Sequence, residues 1–208
     1  MVKRATRKQR GVPRRKQKKI IMVGAEGKNQ TERKYLESFN TKLSEYRIII
    51  SNGSHTDPEG VIHDLIKSAN KEELDEEYGD LKVCFIDVDF PGERESKLLR
   101  TIELANINNV LLVFSNPCFE IWYLLHFRYS TKQYISNDEV INDLKKYIHN
   151  YTKSKDVFDL MYPNLNQALD NSRKLEKYHE SNNVHERLEK NPFTEVYQFI
   201  HILLKDIN

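Results

Sequence analysis

Leu81-Lys-Val-Cys-Phe-Ile-Asp-Val-Asp89 is a short apolar run that ends abruptly in two aspartates. A run of this length bounded by polar residues predicts a buried strand. Two carboxylates spaced by one residue share a side of an extended chain, so Asp87 and Asp89 are expected to face the same way. The pattern repeats outward. Lys19-Ile-Ile-Met-Val-Gly24 precedes it as a first strand, Arg47-Ile-Ile-Ile-Ser51 as a second, and Asn109-Val-Leu-Leu-Val-Phe114 follows as a fourth.

Helical spacing fills the gaps between these strands. Tyr35, Leu36 and Phe39 recur at helical intervals over Thr31–Phe39, with Thr31 as the expected N-cap. Asp57-Pro58 opens a second helix in cap-then-proline order, with Val61, Ile62, Leu65 and Ile66 as its apolar stripe. Leu98, Leu99, Ile102 and Ala105 mark a third over Glu95–Ile107, and Asn116-Pro117 leads into a fourth over Cys118–Phe127. Strand and helix alternate four times, and the strands are almost continuously apolar. That combination predicts an α/β fold: a mostly parallel, Rossmann-like sheet with helices on both faces. Beyond about residue 130 the strand signals fade. Helical patterns over Asp138–Asn150, Leu165–His179 and Thr194–Leu204 predict a C-terminal helical elaboration. The expected organisation is a basic arm over 1–19, an α/β domain over 20–130 and a helical extension over 131–208.

The net charge of +2 hides a division. Residues 1–19 hold ten Lys/Arg and no acid, which leaves 23 basic against 31 acidic residues, about −8, for the remainder. The arm has too few apolar side chains to offset its own ordering entropy and is expected to be flexible. Its chemistry suits a polyanion, from which it would displace counterions, with Arg14, Arg15, Lys16 and Lys18 as contacts; a merely solubilising tail is the bland alternative. No stretch approaches the roughly 20 apolar residues of a membrane span, and the N-terminus lacks the apolar segment of a signal peptide. Cys84 and Cys118 both sit in apolar runs and read as small buried hydrophobes, which suits a reducing cytoplasm.

In open parallel sheets functional groups gather at the carboxyl ends of the strands. Glu26 follows the first strand; Asp87 and Asp89 end the third. Three converging carboxylates repel unless a cation sits among them. Magnesium (or manganese) suits such a site, taking hard oxygen ligands and sharing substrate phosphate, and it can activate water beside a phosphodiester. Each carboxylate also has a plainer reading as a turn former. The loop Gly24-Ala-Glu-Gly-Lys-Asn29 lacks glycine-rich phosphate-loop spacing, and no GxSxG elbow occurs. Glu120, in the first turn of the fourth helix, is either a further catalytic acid or a carboxylate favouring a helix N-terminus. Asn116 is either a phosphate contact or a helix cap. Trp122 and His126, four residues apart, read as a packed aromatic pair rather than as catalysts.

One further pattern is more specific. The apolar strand ending in Glu26-Gly27, then Thr31-Glu-x-x-Tyr-Leu-x-Ser-Phe39, resembles the opening of RloB-like proteins. Ser115-Asn-Pro-Cys-Phe-Glu-Ile-Trp-Tyr-Leu-Leu-His-Phe127 is very similar to that family's central block, and Asn191-Pro-Phe-Thr194 with Val196 resembles its closing element. The resemblance runs over roughly 18–205 and implies a Toprim-like sheet whose Glu and DxD fall on Glu26, Asp87 and Asp89. It also implies a Mg-dependent nuclease acting on DNA or RNA in bacterial anti-phage defence, beside an ATPase partner. Lys28 joins Asn116 and the arm as an expected nucleic-acid contact. The competing expectation is a non-catalytic Toprim-like module that binds nucleic acid or an ATPase.

Overall fold

The computed structural model describes residues 18–26, 30–53, 55–89 and 95–207. Four strands run parallel, β1 (Lys19–Ala25), β2 (Tyr46–Ile50), β3 (Leu81–Asp87) and β4 (Val110–Asn116), in the order β2-β1-β3-β4. A two-residue strand, β5 (Phe193–Thr194), adds antiparallel to the outer edge of β4 through Ser115 and Asn116. The fold is α/β, with a mostly parallel Rossmann-like sheet. Helices α1 (Gln30–Ser38), α2 (Pro58–Lys71) and α3 (Glu95–Ile107) connect the strands, and α4 (Glu120–Leu125) follows β4. The C-terminal part adds α5 (Asn137–Leu144), α6 (Phe158–Met161), α7 (Leu165–Ser181) and α8 (Val196–Ile207).

Alternation along β3 separates the two faces. Cys84, Ile86 and Val88 point into an aliphatic layer with Val61, Ile62 and Leu65 of α2 and Leu98 of α3. Val83 and Phe85 point the other way, into an aromatic-rich layer with Tyr35 of α1, Phe119, Trp122 of α4, and Phe199 of α8. By the same alternation Asp87 belongs to the aromatic side. Gly24 of β1 lets α2 approach closely, since a Cβ there would lie 3.2 Å from Val61 Cγ1. Asp57 caps α2 as its sequence suggests, accepting the Gly60 N–H at 2.9 Å with Pro58 next in the chain.

Four local expectations change. Thr31 lies inside α1 rather than at its cap, and its hydroxyl donates to the Lys153 carbonyl at 3.2 Å. Thr194 belongs to β5 and not to the last helix, which starts at Val196. The helix after β4 is shorter than its sequence pattern, Glu120–Leu125. The helical pattern over Asp138–Asn150 yields a helix only to Leu144. Cys84 and Cys118 are both fully buried free thiols. Among the described residues no helix is long and apolar enough to cross a membrane.

Candidate functional site

The chain reverses its order of strand addition between β1 and β3: β2 is laid on one side of β1, β3 and β4 on the other. Such a switch point opens a crevice beyond the carboxyl ends of the two strands. Ala25 pairs with Phe85 across them, so Glu26 leaves the sheet level with Ile86, one residue before Asp87, and its charge acts on the Asp87 carboxyl. Asp87 Oδ1 accepts the Phe119 N–H at 2.9 Å, joining the end of β3 to the start of α4. One residue further, Glu120 is almost wholly buried, and its Oε1 accepts the Tyr151 hydroxyl at 3.1 Å.

Electrostatics mark this crevice out. The Asp87 carboxyl is held well above the usual carboxylate range, first by burial and then by the charges of Glu32, Glu120, Glu26 and Asp89. Glu32 is pushed up to about 7; burial leads, with the charges of Glu120 and Glu26 adding, against a backbone N–H and Lys153 that pull downward. Glu32 stands in the quoted Thr31-Glu motif but is not among the expected site residues. The signal was there, an acid in the first turn of the helix that follows Glu26, but nothing local tells which first-turn acid faces a crevice. Lys153 and Tyr151 were also missed. The Lys153 ammonium lies 4.0 Å from Glu120 Oε1 with its side chain half exposed. Burial alone would lower its pKa, yet Glu120, Asp87, Cys118 and Glu32 raise it above the ordinary lysine value.

Asp89 departs from the expected alternation. Its backbone is left-handed (φ 53°), its N–H donates to the Pro117 carbonyl at 2.9 Å, and its Oδ1 accepts the Asn137 Nδ2 at 2.9 Å. An extended chain would have set it beside Asp87; the left-handed turn sends it toward α5. Asn116 is buried at the end of β4, its amide donating to the Leu188 carbonyl at 3.1 Å, and the N-cap of α4 is Phe119 instead. Trp122 and His126 pack edge to face at 4.8 Å, and burial drives the His126 imidazole down to about 4, a packing role as its sequence context suggests. Lys18 sits at the opposite end of β1, donating to the Leu43 carbonyl at 2.5 Å. That is roughly 25 Å from Glu26 by strand rise. Arg14, Arg15, Lys16 and Lys28 lie outside the described residues.

The donor set fits a hard divalent cation. Glu26, Glu32, Asp87 and Glu120 offer only carboxylate oxygens, and the three glutamates raise the cost of charge on Asp87. Among the described residues no three His, Cys, Asp or Glu side chains already stand as a ligand set. Magnesium needs no such cage, since it is typically held by one or two carboxylates together with waters and substrate phosphate.

A mostly parallel sheet with helices around it and carboxylates gathered at its switch point defines an α/β protein of Rossmann-like topology. The RloB-like protein family matches residues 21–203, and the chain belongs to that family. Neither the curated proteins nor the solved structures contain a match.

Proposed function

We propose that this RloB-like protein is a Toprim-like, metal-dependent nuclease that hydrolyses phosphodiester bonds in DNA or RNA. The observation that carries this reading is the crowding of Glu26, Glu32, Asp87 and Glu120 at the β1/β3 switch point, where burial and the neighbouring charges raise the Asp87 and Glu32 carboxyls. Acids held at such cost are characteristic of functional sites. Magnesium or manganese bound there supplies a Lewis acid for the phosphate and an activated water. Asp87 and Glu26 hold the cation. Glu32, near neutrality in its proton affinity, takes or returns the proton of the attacking water. Glu120, fixed by Tyr151, orients the far wall. The family resemblance adds the setting: anti-phage defence with an ATPase partner.

The hydrogen bonds of Asp87 to Phe119 and of Asp89 to Asn137 favour a second reading, in which the DxD only braces a nucleic-acid- or ATPase-binding module. Metal-dependent cleavage of labelled DNA and RNA separates the two. Asp87→Asn and Glu26→Gln are expected to lower cleavage at least 100-fold, the lower end of what acid–base and metal ligands contribute, while circular dichroism stays that of the wild type. Equal cleavage by Asp87→Asn, or none by wild type with its ATPase present in any divalent metal, would leave the bracing role.

A further inference from the structure

Between α5 and α6 the chain forms a strap tied to α1 and to Glu120, and its fastening is uneven. Thr31 Oγ1 donates to the Lys153 carbonyl at 3.2 Å, and Lys34 Nζ donates to the Ser154 carbonyl, so both attachments run to α1. Tyr151, buried edge-on against Tyr123 at 6.1 Å, donates to Glu120 Oε1 at 3.1 Å. The strap backbone is therefore held on both sides of Lys153. The Lys153 side chain is not held in the same way: it is 53% exposed and stands 4.0 Å from Glu120 Oε1, beyond hydrogen-bonding distance. A fixed backbone carrying a loosely paired ammonium is built to change partners without moving the chain.

We propose that Lys153 is the resident counter-ion of the crevice, displaced toward the mouth when a divalent metal binds and there pairing with a non-bridging oxygen of the substrate phosphate. The proposal rests on the nuclease reading above. With no metal bound, the ammonium offsets part of the repulsion among Glu120, Asp87 and Glu32. Lys153 and a divalent cation are like charges drawn to the same oxygens, so each weakens the other's hold. Lysine suits the second partner, because a compact ammonium on a four-carbon stem binds phosphate as a movable point charge. Two effects of opposite sign follow. Removing the ammonium should make the site a better metal site and a poorer phosphodiester site, a pair of outcomes that loss of a packing contact does not produce.

The test uses the full chain as wild type, Lys153→Met, Lys153→Arg and Glu120→Gln. Mn²⁺ binding is measured by titration calorimetry without substrate, and Mn²⁺-dependent hydrolysis with bis(p-nitrophenyl) phosphate. Lys153→Met should bind Mn²⁺ about tenfold more tightly, the size expected of one unit charge a few ångströms away at a half-exposed site. Its kcat/KM for the diester should fall by about the same factor, chiefly through KM. Lys153→Arg should stay near wild type in both. In chelator, Lys153→Met should melt below wild type, and the Lys153→Met/Glu120→Gln double variant should recover. Unchanged or weaker Mn²⁺ binding by Lys153→Met overturns the proposal. If wild type takes up no Mn²⁺, the nuclease reading and the metal-displacement step fail together, and the melts decide the counter-ion role alone. Lys153→Met melting with wild type then removes that role as well.

Discussion

Two groups of buried acids lie in this molecule under opposite conditions. Asp143 of α5 accepts Lys132 and the Tyr134 hydroxyl on Oδ2, at 3.0 and 3.1 Å, and Lys146 on Oδ1 at 2.5 Å. Burial would raise its pKa, but these donors outweigh burial and pull it down to about 2. Glu195, 5% exposed before α8, is gripped by Arg187 through Nε at 2.7 Å and Nη2 at 2.5 Å, and also accepts the Phe114 N–H at 3.0 Å. In the crevice the balance reverses: Asp87 and Glu32 are raised by burial and by the charges of the acids around them. Glu195 with its cation ties the start of α8 to β4, and Asp143 with its cations ties α5 to the segment before it. Acids crowded together at the switch point cost stability.

The largest effect expected from this contrast comes from taking a paired acid's cation away. Arg187→Met leaves Glu195 buried beside β4 without its guanidinium, and also removes the stacking of that group on Phe114 at 4.6 Å. Breaking a buried pair from one side costs roughly 3–5 kcal/mol; the half-exposed Arg187 side chain sets the expectation at the lower end, about 3 kcal/mol. Urea unfolding measures it. A loss under about 0.5 kcal/mol, the range of ordinary surface substitutions, would mean that Glu195 is not braced as its hydrogen bonds indicate.

The next effect is smaller and depends on pH. Asp143 has a folded pKa of about 2 against the ordinary aspartate value of 3.8, so the unfolded chain binds its proton first as pH falls. Its contribution is therefore full above about pH 4 and is lost as pH drops toward 2. The shift corresponds to about 2 kcal/mol, and the largely exposed Lys146 partner discounts it to roughly 1 kcal/mol. Asp143→Asn should lower stability at pH 7 by that amount and flatten the acid limb of the stability profile between pH 4 and 2. An unchanged acid limb would show that other carboxylates set it.

The difference between the two groups also marks what could be seen in the chain beforehand. The four strands and the α2 cap were legible because each is a local pattern: apolar runs, and Asp57-Pro58. Asp87 and Glu26 were legible because they end such runs at adjacent strands. Glu32 was not, since only the path of α1 over the sheet turns a first-turn acid into a crevice wall. Lys153 lies 121 positions from Glu32, on a strap without periodicity, and its role exists only through tertiary contact. β5 has two residues, too few for any alternation to register. The left-handed turn at Asp89 overrode the alternation expected of an extended DxD.

The smallest expected effect has the opposite sign, and for that reason it tests the contrast most sharply. Glu32→Gln keeps the side chain's size and its acceptor oxygen while removing one of the charges that raise Asp87. Glu32 retains some exposure, so the new amide can reach solvent. In chelator at neutral pH the variant is expected to be more stable than wild type by about 1 kcal/mol, the relief of like-charge repulsion in a buried site. Asp87→Asn should behave similarly, because asparagine Oδ1 can still accept the Phe119 N–H that Asp87 accepts at 2.9 Å. Asp87→Ala lacks that acceptor and should fall below Asp87→Asn by about 1 kcal/mol, the cost of a lost helix cap. Magnesium should raise the melting temperature of wild type by mass action and do little for Asp87→Asn. Paired acids lose stability when their charge is removed; crowded acids should gain it. If Glu32→Gln and Asp87→Asn both melt well below wild type in chelator, as a braced acid would, then the crevice carboxylates hold the fold together and the two groups of acids do not differ in kind.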